Sequence, residues 1–144
     1  MRFPPRAAPG ASSLGVMGRV LIALCVLAGV AAGASVAAVA SADVKQGTSG
    51  PDRIVGTAGA DRLVGKGGRD VLIGRGGRDV LIGDSGGDRL YGGRGRDTLL
   101  GGSGNDRLVG GPGRDVISCG AGRDTVRRGP GDRVASDCER VRSG

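Results

Sequence analysis

The chain has 144 residues and a formal net charge of +7, with 32 glycines, one Phe, one Tyr, no Trp and no His. So few large aromatic side chains exclude an ordinary packed core. The lack of histidine excludes Ser/His/Asp and Cys/His catalytic sets and removes the commonest transition-metal ligand, so no enzymatic role is expected.

The first predicted element is a targeting segment. Arg2, Arg6 and Arg19 precede an uncharged apolar run from Val20 to Val39, which ends in Ala40-Ser41-Ala42. A basic start, an apolar middle and an A-x-A-like end describe a secretory signal peptide over residues 1–42, with cleavage after Ala42. The run is also long enough to cross a bilayer, so an uncleaved N-terminal anchor is the rival reading. Cleavage implies a secreted, extracellular chain whose mature part has no membrane span. That part holds all fourteen acidic residues and eighteen basic ones, for a net charge of +4.

Residues 43–127 carry a tandem repeat. Nine aspartates recur every nine residues: Asp52, Asp61, Asp70, Asp79, Asp88, Asp97, Asp106, Asp115 and Asp124. Each follows a glycine by two positions and precedes an aliphatic residue by two, as in Gly59-Ala60-Asp61-Arg62-Leu63. Counted from Gly47, position one is glycine except at Cys119, position four is always glycine, position six is Asp and position eight is Ile, Leu or Val. A fixed period means a repeated structural unit.

Each unit divides in two. Positions one to six are glycine-rich and end in Asp, which is turn chemistry. Positions seven to nine, such as Val71-Leu72-Ile73, form a short strand whose alternation points position eight inward. A turn plus a strand reverses the chain, so two units make one coil of eighteen residues with two facing parallel sheets. Leu63, Leu81 and Leu99 then stack, as do Leu72, Leu90 and Leu108. The aspartates form two columns, one from Asp52 through Asp70, Asp88 and Asp106 to Asp124, the other from Asp61 through Asp79 and Asp97 to Asp115.

Strands of neighbouring coils lie about 4.8 Å apart, and carboxylates stacked at that spacing repel. A hard divalent cation between coils offsets the repulsion. Calcium suits carboxylate and carbonyl oxygens in loose geometry better than magnesium does, and zinc would want Cys or His. The alternative is a metal-free turn cap in which each carboxylate accepts backbone N–H bonds.

The unit resembles the G-G-x-G-x-D-x-U-x nonapeptide of RTX-type (hemolysin-type) calcium-binding β-roll proteins. Gly101-Gly102-Ser103-Gly104-Asn105-Asp106-Arg107-Leu108-Val109 matches at every defined position, and Gly92 to Leu100 and Gly110 to Ser118 match too. The resemblance implies an all-β, right-handed parallel β-roll (a β-solenoid) with two repeats per coil. It implies several calcium ions, at most about seven by the pairing of same-edge turns. Their ligands would be the nine repeat aspartates, with backbone carbonyls of turn residues such as Gly92, Arg94, Gly101, Ser103, Gly110 and Pro112. It also implies export followed by calcium-triggered folding, for a structural, adhesive or surface-associated role. Two departures stand out. Position two is Thr48, Thr57, Lys66, Arg75 and Asp84 in the first five units, and position five is arginine at Arg69, Arg78, Arg96, Arg114 and Arg123. An arginine beside each ligand would weaken calcium binding or replace the ion by a salt bridge.

The last predicted element is a C-terminal cap over residues 128–144. The register slips there, since Asp132 follows Asp124 by eight residues. Cys119 and Cys138 are an even pair in an exported chain, which suggests a disulfide that staples the exposed last coil; two free thiols are the alternative.

The arginine-rich surface leaves two further readings open. One is a metal-independent cationic solenoid that binds anionic cell-surface polymers or lipids. The other is a disordered Arg/Gly-rich polymer binder. Nucleic acid is not expected as a partner, because side chains for base stacking are missing. The outward column Val64, Ile82 and Leu100, with Val55, Ile73, Tyr91 and Val109 opposite, reads as β-propensity or as a docking surface.

Overall fold

The computed structural model describes residues 42–144. Residues 1–41, with the basic start and apolar run of the expected signal segment, lie outside the described residues. Strands alternate between two six-stranded parallel sheets. One holds β1 (Val44–Gln46), β3 (Arg62–Gly67), β5 (Val80–Ser85), β7 (Thr98–Ser103), β9 (Val116–Ala121) and β11 (Arg133–Val134). The other holds β2 (Arg53–Val55), β4 (Val71–Gly77), β6 (Arg89–Gly95), β8 (Arg107–Val109), β10 (Thr125–Arg128) and β12 (Arg140–Ser143). Among the described residues there is no helix. The result is the expected β-solenoid.

The eighteen-residue register holds strand by strand. Leu63 pairs with Leu81, Leu81 with Leu99 and Leu99 with Ile117 in one sheet. Ile54, Leu72, Leu90, Leu108 and Val126 align in the other. From Leu63 to Val126 these inward residues have no solvent exposure. Position eight supplies the apolar core at one residue per repeat, joined at the C-terminal end by Cys119, with Val134 and Cys138 packed against it. Burying each such side chain contributes about 1.5–3 kcal/mol before the entropy of ordering nine residues is set against it. That is a thin core for so much chain.

The strands run further than the short apolar stretches predict. β4 continues from Val71-Leu72-Ile73 through Gly74 to Gly77, and Arg75 pairs with Gly93 just as Leu72 pairs with Leu90. Coils stacked in constant register bring turn over turn as well as strand over strand, so the glycine-rich half also satisfies its amides between coils. Position two takes a left-handed backbone from the third unit onward, with φ of 80° at Lys66, 85° at Arg75 and 74° at Asp84. Glycine fills this position in later units because a Cβ is disfavoured there.

The C-terminal tail closes the roll by extending it. β11 pairs Val134 with Ile117, and β12 pairs Val141 with Val126, which shortens the repeat to seventeen and then fifteen residues. Cys119 is disulfide-bonded to Cys138 and is fully buried. The outward apolar residues Val64, Ile82, Val55, Ile73, Tyr91 and Val109 are half-buried by their neighbours, and Leu100 is 37% exposed.

Candidate metal centre

Each repeat aspartate ends a turn and points inward, so that Asp61 through Asp124 are at most 3% exposed. One oxygen of each has a defined partner. The Oδ1 of Asp70 accepts the Asp52 amide at 2.8 Å, and that of Asp88 accepts the Asp70 amide at 2.8 Å. The same bond from the coil before reaches Asp79, Asp97, Asp106, Asp115 and Asp124 at 2.8–2.9 Å. The aspartates therefore form two continuous columns of amide-to-carboxylate bonds.

The second oxygen divides the repeats. In the first two units it is capped. Asp52 Oδ2 accepts the Thr48 amide at 2.6 Å and its hydroxyl at 2.9 Å. Asp61 Oδ2 accepts the amide and hydroxyl of Thr57 in the same way. From Asp70 onward the position-two residue is left-handed and its amide turns to the next coil, as where Gly93 donates to the Gly110 carbonyl at 3.0 Å. The buried Oδ2 atoms of Asp70, Asp79, Asp88, Asp97, Asp106, Asp115 and Asp124 then have no hydrogen-bond partner. A buried carboxylate oxygen without a donor is strongly unfavourable unless a proton or a cation meets it.

Position one explains where those oxygens sit. A Cβ added at Gly74 would stand 2.3 Å from Asp79 Oδ2 and 2.4 Å from the Gly92 carbonyl oxygen. At Gly83 it would meet Asp88 Oδ2 at 2.6 Å and the Gly101 carbonyl at 2.4 Å, and at Gly92 it would meet Asp97 Oδ2 and the Gly110 carbonyl, both at 2.6 Å. For Asp70, Asp79, Asp88, Asp97 and Asp106 the unpartnered oxygen and a carbonyl of the following coil thus both lie within 2.8 Å of where a Cβ on the position-one glycine would stand; at Gly110 that place is shared by Asp115 Oδ2 and Asp132 Oδ2. Of the turn carbonyls expected as ligands, those of Gly92, Gly101 and Gly110 are placed here. Those of Ser103 and Pro112 accept the Gly86 and Gly95 amides at 2.8 Å and 3.0 Å, which leaves each a second lone pair. The Arg94 carbonyl lies 3.8 Å from where a Gly76 Cβ would stand.

The arginines do not neutralise these columns. Among the described residues the one ion pair joins Lys45 to Asp43 at 3.6 Å. Position-five arginines project outward while the aspartates turn inward, so adjacency in sequence does not become contact. Burial, reinforced by the carboxylates of neighbouring coils, pushes Asp79, Asp88, Asp97 and Asp124 above the usual carboxylate range. The same causes raise Asp106 and Asp115 to about 6. Asp61 goes the other way: burial raises it, but the Thr57 and Asp43 amides, the Thr57 hydroxyl and Lys45 together outweigh that and hold it low.

A pH dependence follows for the metal-free chain. A carboxyl raised in the fold above its unfolded value of 3.8 favours folding when protonated. The contribution of Asp106 and Asp115 is fully present below their unfolded values and is lost as pH rises through about 6. In chelator, residual β-type circular dichroism is therefore expected to diminish as pH rises from about 4.5 to about 7. A signal that grows over that range would contradict the unpartnered columns.

Sequence reasoning missed Asp132. Its Oδ1 accepts the Asp115 amide at 3.0 Å, which continues the column past the slipped register, and its Oδ2 is capped by the Gly129 amide at 2.7 Å. The signal was present as an aspartate one residue early, hidden by insistence on a strict period. Both columns thus begin on a threonine-capped aspartate, while one ends on the capped Asp132 and the other on the uncapped Asp124. The donors are all oxygen, since the two cysteines are bonded to each other. Such a set suits a hard cation.

The family model described as RTX calcium-binding nonapeptide repeat (4 copies) matches four overlapping stretches, at residues 46–81, 64–99, 82–117 and 100–134. No curated protein and no solved structure matches the chain.

Proposed function

The chain belongs to the RTX calcium-binding nonapeptide repeat family, and from that premise we propose that it is a secreted, non-enzymatic calcium-binding β-roll, structural or adhesive in role, that folds on calcium outside the cell. The observation that carries this reading is the set of seven buried Oδ2 atoms without a donor. Asp70 through Asp124 would hold the ions, joined at Asp70, Asp79, Asp88, Asp97 and Asp106 by a position-one carbonyl of the following coil. Asp52 and Asp61 keep their threonine caps, so their second oxygens are already satisfied. Bound calcium supplies the positive charge that the inward carboxylates lack.

The protein's own residues do the rest. The inter-coil amide bonds hold each carboxylate in one orientation, and the bare glycines keep the neighbouring carbonyls close. A core of one aliphatic residue per repeat is too thin to hold nine-residue coils unaided, so ion binding and folding are coupled. Export fits this coupling, because millimolar calcium is met outside the cell.

The test is a titration of the purified chain followed by far-UV circular dichroism. A β-type spectrum is expected to grow in with millimolar calcium and to vanish with chelator. A folded spectrum identical in both conditions would overturn calcium-coupled folding and leave the metal-independent cationic solenoid.

A further inference from the structure

The edge of the roll that leads into the even-numbered strands carries a cationic cleft of about 620 Å³, flanked by Arg69, Arg89, Arg107 and Arg123. Two columns supply them. Arg89 and Arg107 are register partners on the outer surface of β6 and β8. Arg69 and Arg123 come from the turns, in a column whose intervening members are Gly87 and Asn105. Gly87 adds no side chain to the cleft it lines, and the Arg69 Nε lies 3.8 Å from where a Gly87 Cβ would stand. None of the four guanidinium groups has a hydrogen-bond or ion-pair partner among the described residues.

Four unpaired guanidinium groups around one opening are an oxoanion site in search of charge. Guanidinium matches phosphate or sulfate oxygens with paired, parallel N–H bonds. The arginines belong to four successive coils, so at about 4.8 Å per coil they extend some 14 Å along the roll axis. That suits a line of anionic groups better than a single ion. Arg53 on β2 lies in the same row two coils from Arg89, with Val71 between them. No aromatic side chain lines it to stack a base.

We propose that this cleft binds a linear polymer of phosphate or sulfate groups, lying along the roll axis and held by Arg69, Arg89, Arg107 and Arg123. The site goes beyond calcium binding and uses different side chains. Asp88 and Asp106, both buried, also line this cleft, while the four arginines are exposed.

The test uses fluorescently labelled oligomers of glycerol phosphate and of sulfated dextran, matched in charge, with the chain kept in whichever calcium condition gives the β-type spectrum. A metal-independent fold therefore leaves the test intact. Both oligomers are expected to bind, and the tighter one identifies the polymer. Arg89→Ala/Arg107→Ala should weaken binding at least tenfold. Arg78→Ala/Arg96→Ala removes the same charge from the opposite edge and should change it less than threefold. Arg89→Lys/Arg107→Lys, which keeps the charge and loses the paired N–H geometry, should fall between them. Equal losses from both edges would reduce the site to diffuse attraction and overturn the proposal. So would tighter binding of oligo-dT or of anionic lipid vesicles at equal charge.

Discussion

Asp88→Asn/Asp106→Asn is expected to stabilise the metal-free protein and to weaken the calcium-loaded one. In each variant the side-chain carbonyl keeps the bond from the preceding coil's amide, which the structure gives as 2.8 Å at both positions. The new NH2 replaces an oxygen that has no donor, in a place shared with the Gly101 carbonyl for Asp88 and with the Cys119 carbonyl for Asp106. A buried charge is removed from a column in which Asp70, Asp84 and Asp124 repel it. Relieving a buried, unsatisfied oxygen contributes about 1–3 kcal/mol, so a gain of that order is expected in chelator. In calcium the sign reverses. Each lost site forfeits about 2.7 kcal/mol at a hundredfold excess over its dissociation constant. Circular dichroism in chelator, urea unfolding in calcium and calorimetric counting of bound ions measure these effects. No gain of β-type structure in chelator together with an unchanged ion count would mean that the second oxygens have no part in ion binding.

Cys119→Ser/Cys138→Ser is expected to cost about 3 kcal/mol, from the loop of about twenty residues that the bridge closes. For a chain of this size, that lowers Tm by on the order of 10–20 °C. The loss should concentrate at the C-terminal end. β12 is exposed along its whole length and pairs with β10 alone, so its anchorage depends on Cys138 two residues upstream. Cys119 stands where other repeats require glycine. At Gly101 a Cβ would collide with the Cys119 carbonyl at 2.4 Å, but after Cys119 the register shortens to seventeen residues, and the Gly120 amide donates to the Asp137 carboxylate at 3.0 Å. Hydrogen exchange should show residues 133–143 released in the variant while β3 to β8 stay protected. An unchanged Tm in reductant would remove the staple from the stability of the roll.

Much of this was legible in the residues alone, for a physical reason. A parallel solenoid repeats the same contacts at every coil, so a local pattern states its tertiary partner. Leu63 over Leu81 and Asp70 over Asp88 follow from the eighteen-residue period and from strand alternation. Thr48 and Thr57 were visible as departures, but their effect was not. Only backbone conformation shows that a threonine at position two keeps its amide on the aspartate while a left-handed residue turns it away. The arginines misled in the opposite direction. Neighbours along the chain, Arg69 and Asp70 point to opposite sides, since one projects from the turn and the other enters the core.

Asp132 marks the limit of a periodic reading. Counting by nine stops at Asp124, yet the column continues, because a shorter final loop still delivers a carboxylate to the Asp115 amide. By itself, then, the sequence determined the period, the coil, the inward column and the acid at every turn, all of which depend on spacing. The tertiary structure decided which carboxylate oxygens are satisfied, which remain open to a cation, and which arginines gather at one cleft. Those outcomes depend on backbone angles and on the direction of each side chain between coils, and spacing does not carry them.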